Sequence, residues 1–235
     1  MIASLAFAQT PTGGSAWIPL FNGTNLDGWM WSTDADPGQP CWAAEDGMLR
    51  TTPGKGKPTY LLTRDSFSDF EMSLEWKTEP GANSGVKYRF QGYWVEDGGK
   101  NQLRADPAGP GRIEPVAFEY QIIDDQRHPD ALGSEKHSTA ALYEYWPAHK
   151  DGPAKADMWH TSRIVARGLH IEHWLDGKKV LNVKIDSPEL QESFRQSPRR
   201  GSSPVLAKQE RRDSPIALQF HDGVVWFRNI KIRRL

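Results

Sequence analysis

One cysteine, Cys41, stands among 235 residues, so the chain holds no disulfide framework and no cysteine-based zinc site. It contains no apolar run long enough to cross a bilayer. Neither sign of charge dominates: 29 Lys and Arg face 30 Asp and Glu, which leaves no global field to draw nucleic acid or an anionic membrane. The basic pairs Arg199-Arg200 and Arg211-Arg212 have no aromatic residue between them and read as solvated loop charges. Walker and dinucleotide fingerprints are missing, Ser84 sits in no nucleophile-elbow pattern, and no window of 12 or more residues carries a helical apolar stripe. Nucleotide chemistry, acyl transfer and a helical fold are excluded on these grounds.

Tryptophan is abundant, with ten residues, and its ring suits the C–H face of a pyranose as well as it suits a β-core. Alternation is the other strong signal. Phe70, Met72, Leu74 and Trp76 share one strand face, Val86 to Phe90 alternates likewise, and so does Leu218 to His221. Asp46-Gly47 and Asp176-Gly177 punctuate such runs as two-residue hairpin turns. The final strand, Val224 to about Leu235, changes phase near Arg228-Asn229, which predicts a β-bulge. One short helix is expected over Pro188–Ser197, capped by Ser187, with Leu190 and Phe194 four apart. Gly92–Pro115, Gln126–Thr139 and Ser197–Pro215 read as long loops. The expectation is a leader over residues 1–16, where Ile2 to Ala8 reads as the end of an export signal to the periplasm or exterior. Residues 17–235 then form one all-β antiparallel sandwich or jelly roll with long loops.

The polar faces of these strands carry the functional expectation. If Phe118, Tyr120 and Ile122 face the core, Glu119, Gln121 and Asp125 lie together on the other side. Lys87 and Arg89 fit the same concave surface, as do Gln219 and His221, and together they make a groove suited to sugar hydroxyls.

Leu20-Phe21-Asn22-Gly23-Thr24-Asn25-Leu26-Asp27-Gly28-Trp29 opens the chain, followed by Asn83-Ser84-Gly85-Val86 with Arg89 and by Glu119-Tyr120-Gln121-Ile122-Ile123-Asp124-Asp125 with His128. Ala141-Leu142-Tyr143 and Leu218-Gln219-Phe220-His221-Asp222-Gly223, with Phe227-Arg228-Asn229-Ile230, complete the series. In this order the motifs resemble the 3-keto-disaccharide hydrolase domain family. The resemblance runs from about Leu20 to Leu235. It implies a concanavalin A-like jelly roll, export, and cleavage of glycosides whose sugar is oxidised at C3, by a separate enzyme.

A C3 ketone acidifies the C2 proton, and its removal lets the C1 substituent leave. Such a site needs a base, a cation for the enolate oxygen and a donor for the leaving oxygen. The expected assignments are Glu119 or His221 as base, Lys87 or Arg89 on the enolate, and Tyr143 as donor. Asn83, Gln121 and Gln219 orient hydroxyls, with Asp124, Asp125, His128 and Glu75 as further substrate contacts. No cofactor fingerprint is present; a divalent cation on His128 and His137 with Asp124 or Asp125 is the alternative considered for the enolate. Glu71 and Glu75, four apart on one strand, offer ordinary two-carboxylate hydrolysis as a competing route. A carbohydrate-binding module without catalysis is the alternative from another class.

Overall fold

The computed structural model describes residues 15–31, 41–52, 60–97, 100–105 and 113–235; the expected export signal at Ile2–Ala8 lies outside them. The first seven strands are β1 (Ile18–Pro19), β2 (Trp29–Trp31), β3 (Trp42–Glu45), β4 (Met48–Thr51), β5 (Tyr60–Thr63), β6 (Phe70–Thr78) and β7 (Asn83–Asp97). After them come β8 (Lys100–Arg104), β9 (Ile113–Ile123), β10 (His160–Arg167), β11 (His170–Leu175), β12 (Lys178–Lys184), β13 (Ala217–Asp222) and β14 (Val225–Arg234). The helices are α1 (Pro129–Gly133), α2 (Pro188–Gln196) and α3 (Ser203–Lys208), with a 3-10 turn at Glu135–His137.

The strands form two antiparallel sheets. One runs β12-β11-β10-β6-β14-β4-β3 with β1 also on β14; the other runs β2-β5-β13-β7-β8 with β9 also on β7. The jelly-roll expectation holds. Period-2 alternation drives it: Phe70, Met72, Leu74 and Trp76 of β6 are buried against Val86, Tyr88, Phe118, Tyr120 and Leu218 of the facing sheet, in one continuous core. Both expected hairpins form, with positive φ at Asp46 and Gly47 and again at Asp176 and Gly177, the backbone that a two-residue I′ turn demands. The β14 bulge appears between Arg228 and Lys231, with Asn229 at φ 52°. Helix α2 begins where expected, its Leu190 N–H bonded to Ser187 Oγ at 3.3 Å.

The described parts of the three expected loops contain regular structure. Much of Gly92–Pro115 is strand, because β7 continues to Asp97 and pairs with β8. Gln126–Thr139 contains α1 and the 3-10 turn, and Ser197–Pro215 contains α3. Short helical turns and a bulged strand leave little periodic trace, which is why they read as loop.

Candidate active site

The outer face of the six-stranded sheet brings the expected polar residues together by register. Gln219 pairs with Tyr60 on β5 and with Gly85 on β7, and Gly85 pairs with Gln121 on β9. One step along, Ala217 pairs with Lys87 and Lys87 with Glu119. Alternation sends Asn83, Gly85 and Lys87 to the same side. This face of the sheet therefore carries a row of amides and a phenol beside an ion pair.

Lys87 Nζ donates to Glu119 Oε2 at 2.5 Å, with both side chains nearly buried. Burial opposes the ammonium charge, but the Coulomb attraction of and hydrogen bond to Glu119 hold the Lys87 pKa above its ordinary value. Lys87 also lies 5.7 Å from the centre of the Tyr60 ring, and Gln219 hydrogen-bonds the Tyr60 side chain. Burial in turn raises the Tyr60 phenol, so it stays neutral. Gly85 makes room for the carboxylate: a Cβ there would stand 2.4 Å from Glu119 Oε1. Beyond it, Asn83 is buried, and its Oδ1 has no hydrogen-bond partner among the described residues.

A strap over Ala140–Tyr143 flanks β9. Ala140 N–H donates to Gln121 O at 2.8 Å, and Tyr143 N–H to Glu119 O at 3.0 Å. Tyr143, Tyr145 and Arg199 line a pocket with Lys87 and Glu119. Its free volume of about 10 Å³ admits a single water. The Tyr143 hydroxyl donates to Asp130 Oδ2 at 2.9 Å, and burial, with Asp130 beside it, raises its pKa. That proton is engaged, which counts against Tyr143 as the donor to a leaving group.

Arg199 is no solvated loop charge. Its guanidinium lies 3.3 Å from Glu114 and 3.8 Å from Glu144, and 5.2 Å over the Tyr143 ring. Its partners come from β9 and the strap, so nothing near it in sequence signals the role. Tyr60 was missed for a similar reason, since its neighbour in chain order is not its neighbour in the sheet.

At the far end, a ladder slip between Phe220 and Asp222 leaves His221 exposed on the rim. His221 Nδ1 lies 3.1 Å from Asp222 Oδ2. His128 Nε2, from the loop ahead of α1, lies 3.4 Å from the same oxygen, so both imidazoles meet one carboxylate.

Several expected residues are elsewhere. Arg89 has φ 57° at a slip in β7 between Tyr88 and Gly92, which turns it out of the groove. It is fully buried, and its Nη2 donates to Asp69 Oδ1 at 2.9 Å and to Gly168 O at 3.1 Å. Asp124 and Asp125 follow the end of β9, where alternation no longer applies. Asp124 accepts from Gly81 N at 2.8 Å, Gln126 N at 3.0 Å and Arg127 at 3.2 Å, and these donors hold its carboxyl below the usual range against the cost of burial. Asp125 pairs with Lys150 and accepts from Thr139 N and Ala154 N, each at 2.7 Å. His137 binds Asp130 at 2.7 Å and Glu144 at 3.3 Å. The four residues considered for a cation thus do not converge, and among the described residues no group of three or more His, Cys, Asp or Glu has metal-holding geometry. Glu75 belongs to the other sheet, bonded to Arg228 at 2.8 Å and Asn229 at 2.7 Å, while Glu71 is held by Arg163 and Arg233. Guanidinium pairing on a distant face removes the Glu71–Glu75 route.

Two stacked antiparallel sheets, one with a row of amides beside an ion pair on its outer face, make a jelly-roll β-sandwich. The chain belongs to the 3-keto-alpha-glucoside-1,2-lyase-like domain family, whose model matches residues 16–233. A protein from Bacteroides thetaiotaomicron named 3-keto-disaccharide hydrolase is 27% identical over 252 residues, covering 99% of this chain and 83% of the relative. A crystal structure from Parabacteroides distasonis, described as a candidate glycosyl hydrolase, superposes with a TM-score of 0.66 at 28% identity, covering 94% of this chain and 100% of its own. A Bacillus subtilis protein of unknown function with a galectin-like fold shares the architecture alone, at TM-score 0.54 and 11% identity, covering 94% of this chain and 96% of its own.

Proposed function

We propose that this protein is an enzyme cleaving glycosides whose sugar ring carries a ketone at C3. The buried Lys87–Glu119 pair, set among Tyr60, Gln219, Gly85 and Gln121, carries this reading. A groove that only held neutral hydroxyls needs amides and aromatics; a fixed ammonium answers a different demand, the negative charge that develops on an enolate oxygen. The family and the hydrolase named in Bacteroides thetaiotaomicron support the substrate class.

His221 Nε2 takes the C2 proton, and the C–H electron pair delocalises into the C3 carbonyl. Lys87, kept charged and in place by Glu119, stabilises the resulting oxyanion. The enolate then collapses: C3=O reforms, C1=C2 forms, and the C1–O bond breaks. The imidazolium returns its proton to the leaving oxygen, so one histidine serves as base and then acid. Addition of water across C1=C2, hydroxyl to C1 and hydrogen to C2, completes a net hydrolysis. Asn83, Gln121 and Gln219 orient the remaining hydroxyls.

Incubation with 3-keto-glucosides and 3-keto-trehalose beside their unoxidised parents tests the substrate. Cleavage confined to the oxidised forms is expected, with His221→Asn and Lys87→Met each losing at least about 100-fold. Binding of the oxidised sugars without cleavage selects a carbohydrate-binding module. Full activity in His221→Asn with loss in Glu119→Gln transfers the base to Glu119.

A further inference from the structure

His221 owes its place to a fault in a ladder. Up to Phe220, β13 pairs regularly with β7; Phe220 faces Ser84, and the next paired residue is Asp222, opposite Asn83. His221 is the extra residue of the bulge. Asn83 shares its face with Gly85 and Lys87, so Asp222, directly across from it, lies on the groove side too. Without the slip, strict alternation would send Asp222 to the face opposite Gln219.

The Asp222 carboxylate is shared by two imidazoles. Its Oδ2 lies 3.1 Å from His221 Nδ1 and 3.4 Å from His128 Nε2. The other nitrogen of His128 settles its tautomer: Nδ1 accepts the Asp130 N–H at 3.1 Å as the cap of α1, so the proton is on Nε2, facing Asp222. His221 turns Nδ1 toward a group that accepts only, so its proton is on Nδ1 and its lone pair on Nε2. The two rings lie 6.5 Å apart, nearly perpendicular. Asp222 Oδ1 is buried with no hydrogen-bond partner among the described residues. Neighbouring charges are committed: Asp130 to His137 and Tyr143, Glu79 to the Val224 N–H, and Asp124 to Arg127 and backbone donors.

We propose that Asp222 is the positioning residue of the site, selecting the Nδ1–H tautomer of His221 and holding the ring so that Nε2 faces the groove. His128, anchored on α1, steadies the carboxylate from the opposite side. The proposal rests on His221 acting as the base, and it adds a residue that touches no substrate.

Two measurements on the full chain test it. The ¹⁵N spectrum of histidine-labelled protein is expected to show His221 protonated at Nδ1 in the wild type and moved toward the Nε2–H form in Asp222→Ala. On a 3-keto-glucoside, Asp222→Ala is expected to lower kcat about 100-fold with KM changed less than about twofold, the signature of a misdirected base and not of lost binding. Asp222→Glu recovers part of the rate, and an unchanged circular dichroism spectrum separates the effect from unfolding. An Nε2–H form in the wild type, or an unaltered kcat in Asp222→Ala, overturns the proposal. The tautomer is read without turnover, so Nδ1–H retained in a protein that cleaves no 3-keto-glycoside overturns the functional proposal and leaves the positioning of His221 standing.

Discussion

At Gly85 the absence of a side chain decides where Glu119 lies, and through Glu119 where Lys87 holds its charge. A methyl group there would press on Oε1 from 2.4 Å. The ion pair is sheltered from water, and losing one partner strands the other. Lys87→Met and Glu119→Leu are each expected to cost about 3–5 kcal/mol of stability, measured by urea denaturation. The double variant should recover most of that stability, because two apolar side chains of similar size need no partner, while cleavage stays lost. A double variant as unstable as the sum of the singles would mean that the two residues do not act as a pair. Residue types were legible at this scale: the alternation of Phe118, Tyr120 and Ile122 placed Glu119 and Gln121 correctly. The same logic misplaced Arg89, whose φ of 57° breaks the alternation from within the strand. Nothing in the letters Val-Lys-Tyr-Arg-Phe announces that turn.

The strap behind β9 is held from inside the core. His173 is wholly buried; its Nδ1 donates to Ala140 O at 2.8 Å and its Nε2 meets the Tyr88 hydroxyl at 2.7 Å. Burial pushes its pKa down to about 4, against the aid of the Ala140 carbonyl. The folded chain therefore keeps this ring neutral where the unfolded chain protonates it near 6.5. Stability is complete above that value and falls as pH drops from about 6.5 to about 4, a loss on the order of 3 kcal/mol. Urea midpoints measured across this window should decline in the wild type and far less in His173→Gln, which lacks the titration although it starts from lower stability. Parallel declines would assign the acid sensitivity elsewhere. His173 shares parity with the buried Ile171 and Leu175 on β11, but its partners on β7 and the strap are distant in sequence. Hairpins and α2 were legible because their signals are local: Asp-Gly supplies positive φ, and Ser187-Pro188 starts a helix. The length of β7 was not, since its outer half is set by pairing with both β8 and β9, far along the chain.

Across the whole molecule, one core joins both sheets, with Met72, Trp76 and Phe227 from one packed among Leu61, Val86 and Leu218 from the other. Neither sheet can shed its partner without exposing that surface. Far-ultraviolet circular dichroism and tryptophan fluorescence are expected to report a single, coincident urea transition. Two separated midpoints would show that the sheets unfold independently. The sandwich class, the ordered motifs of the family and the amide-and-carboxylate character of one face were determined by the sequence alone, because period-2 patterning and turn chemistry act over a few residues. Register was decided only in the folded chain. Which row faces which, where β7 and β13 slip, and that Arg199 arrives over Tyr143 while Asp124, Asp125 and Glu75 depart, depend on hydrogen-bond ladders between segments far apart. A one-residue shift in such a ladder reverses every side chain that follows it, and no local pattern records the shift.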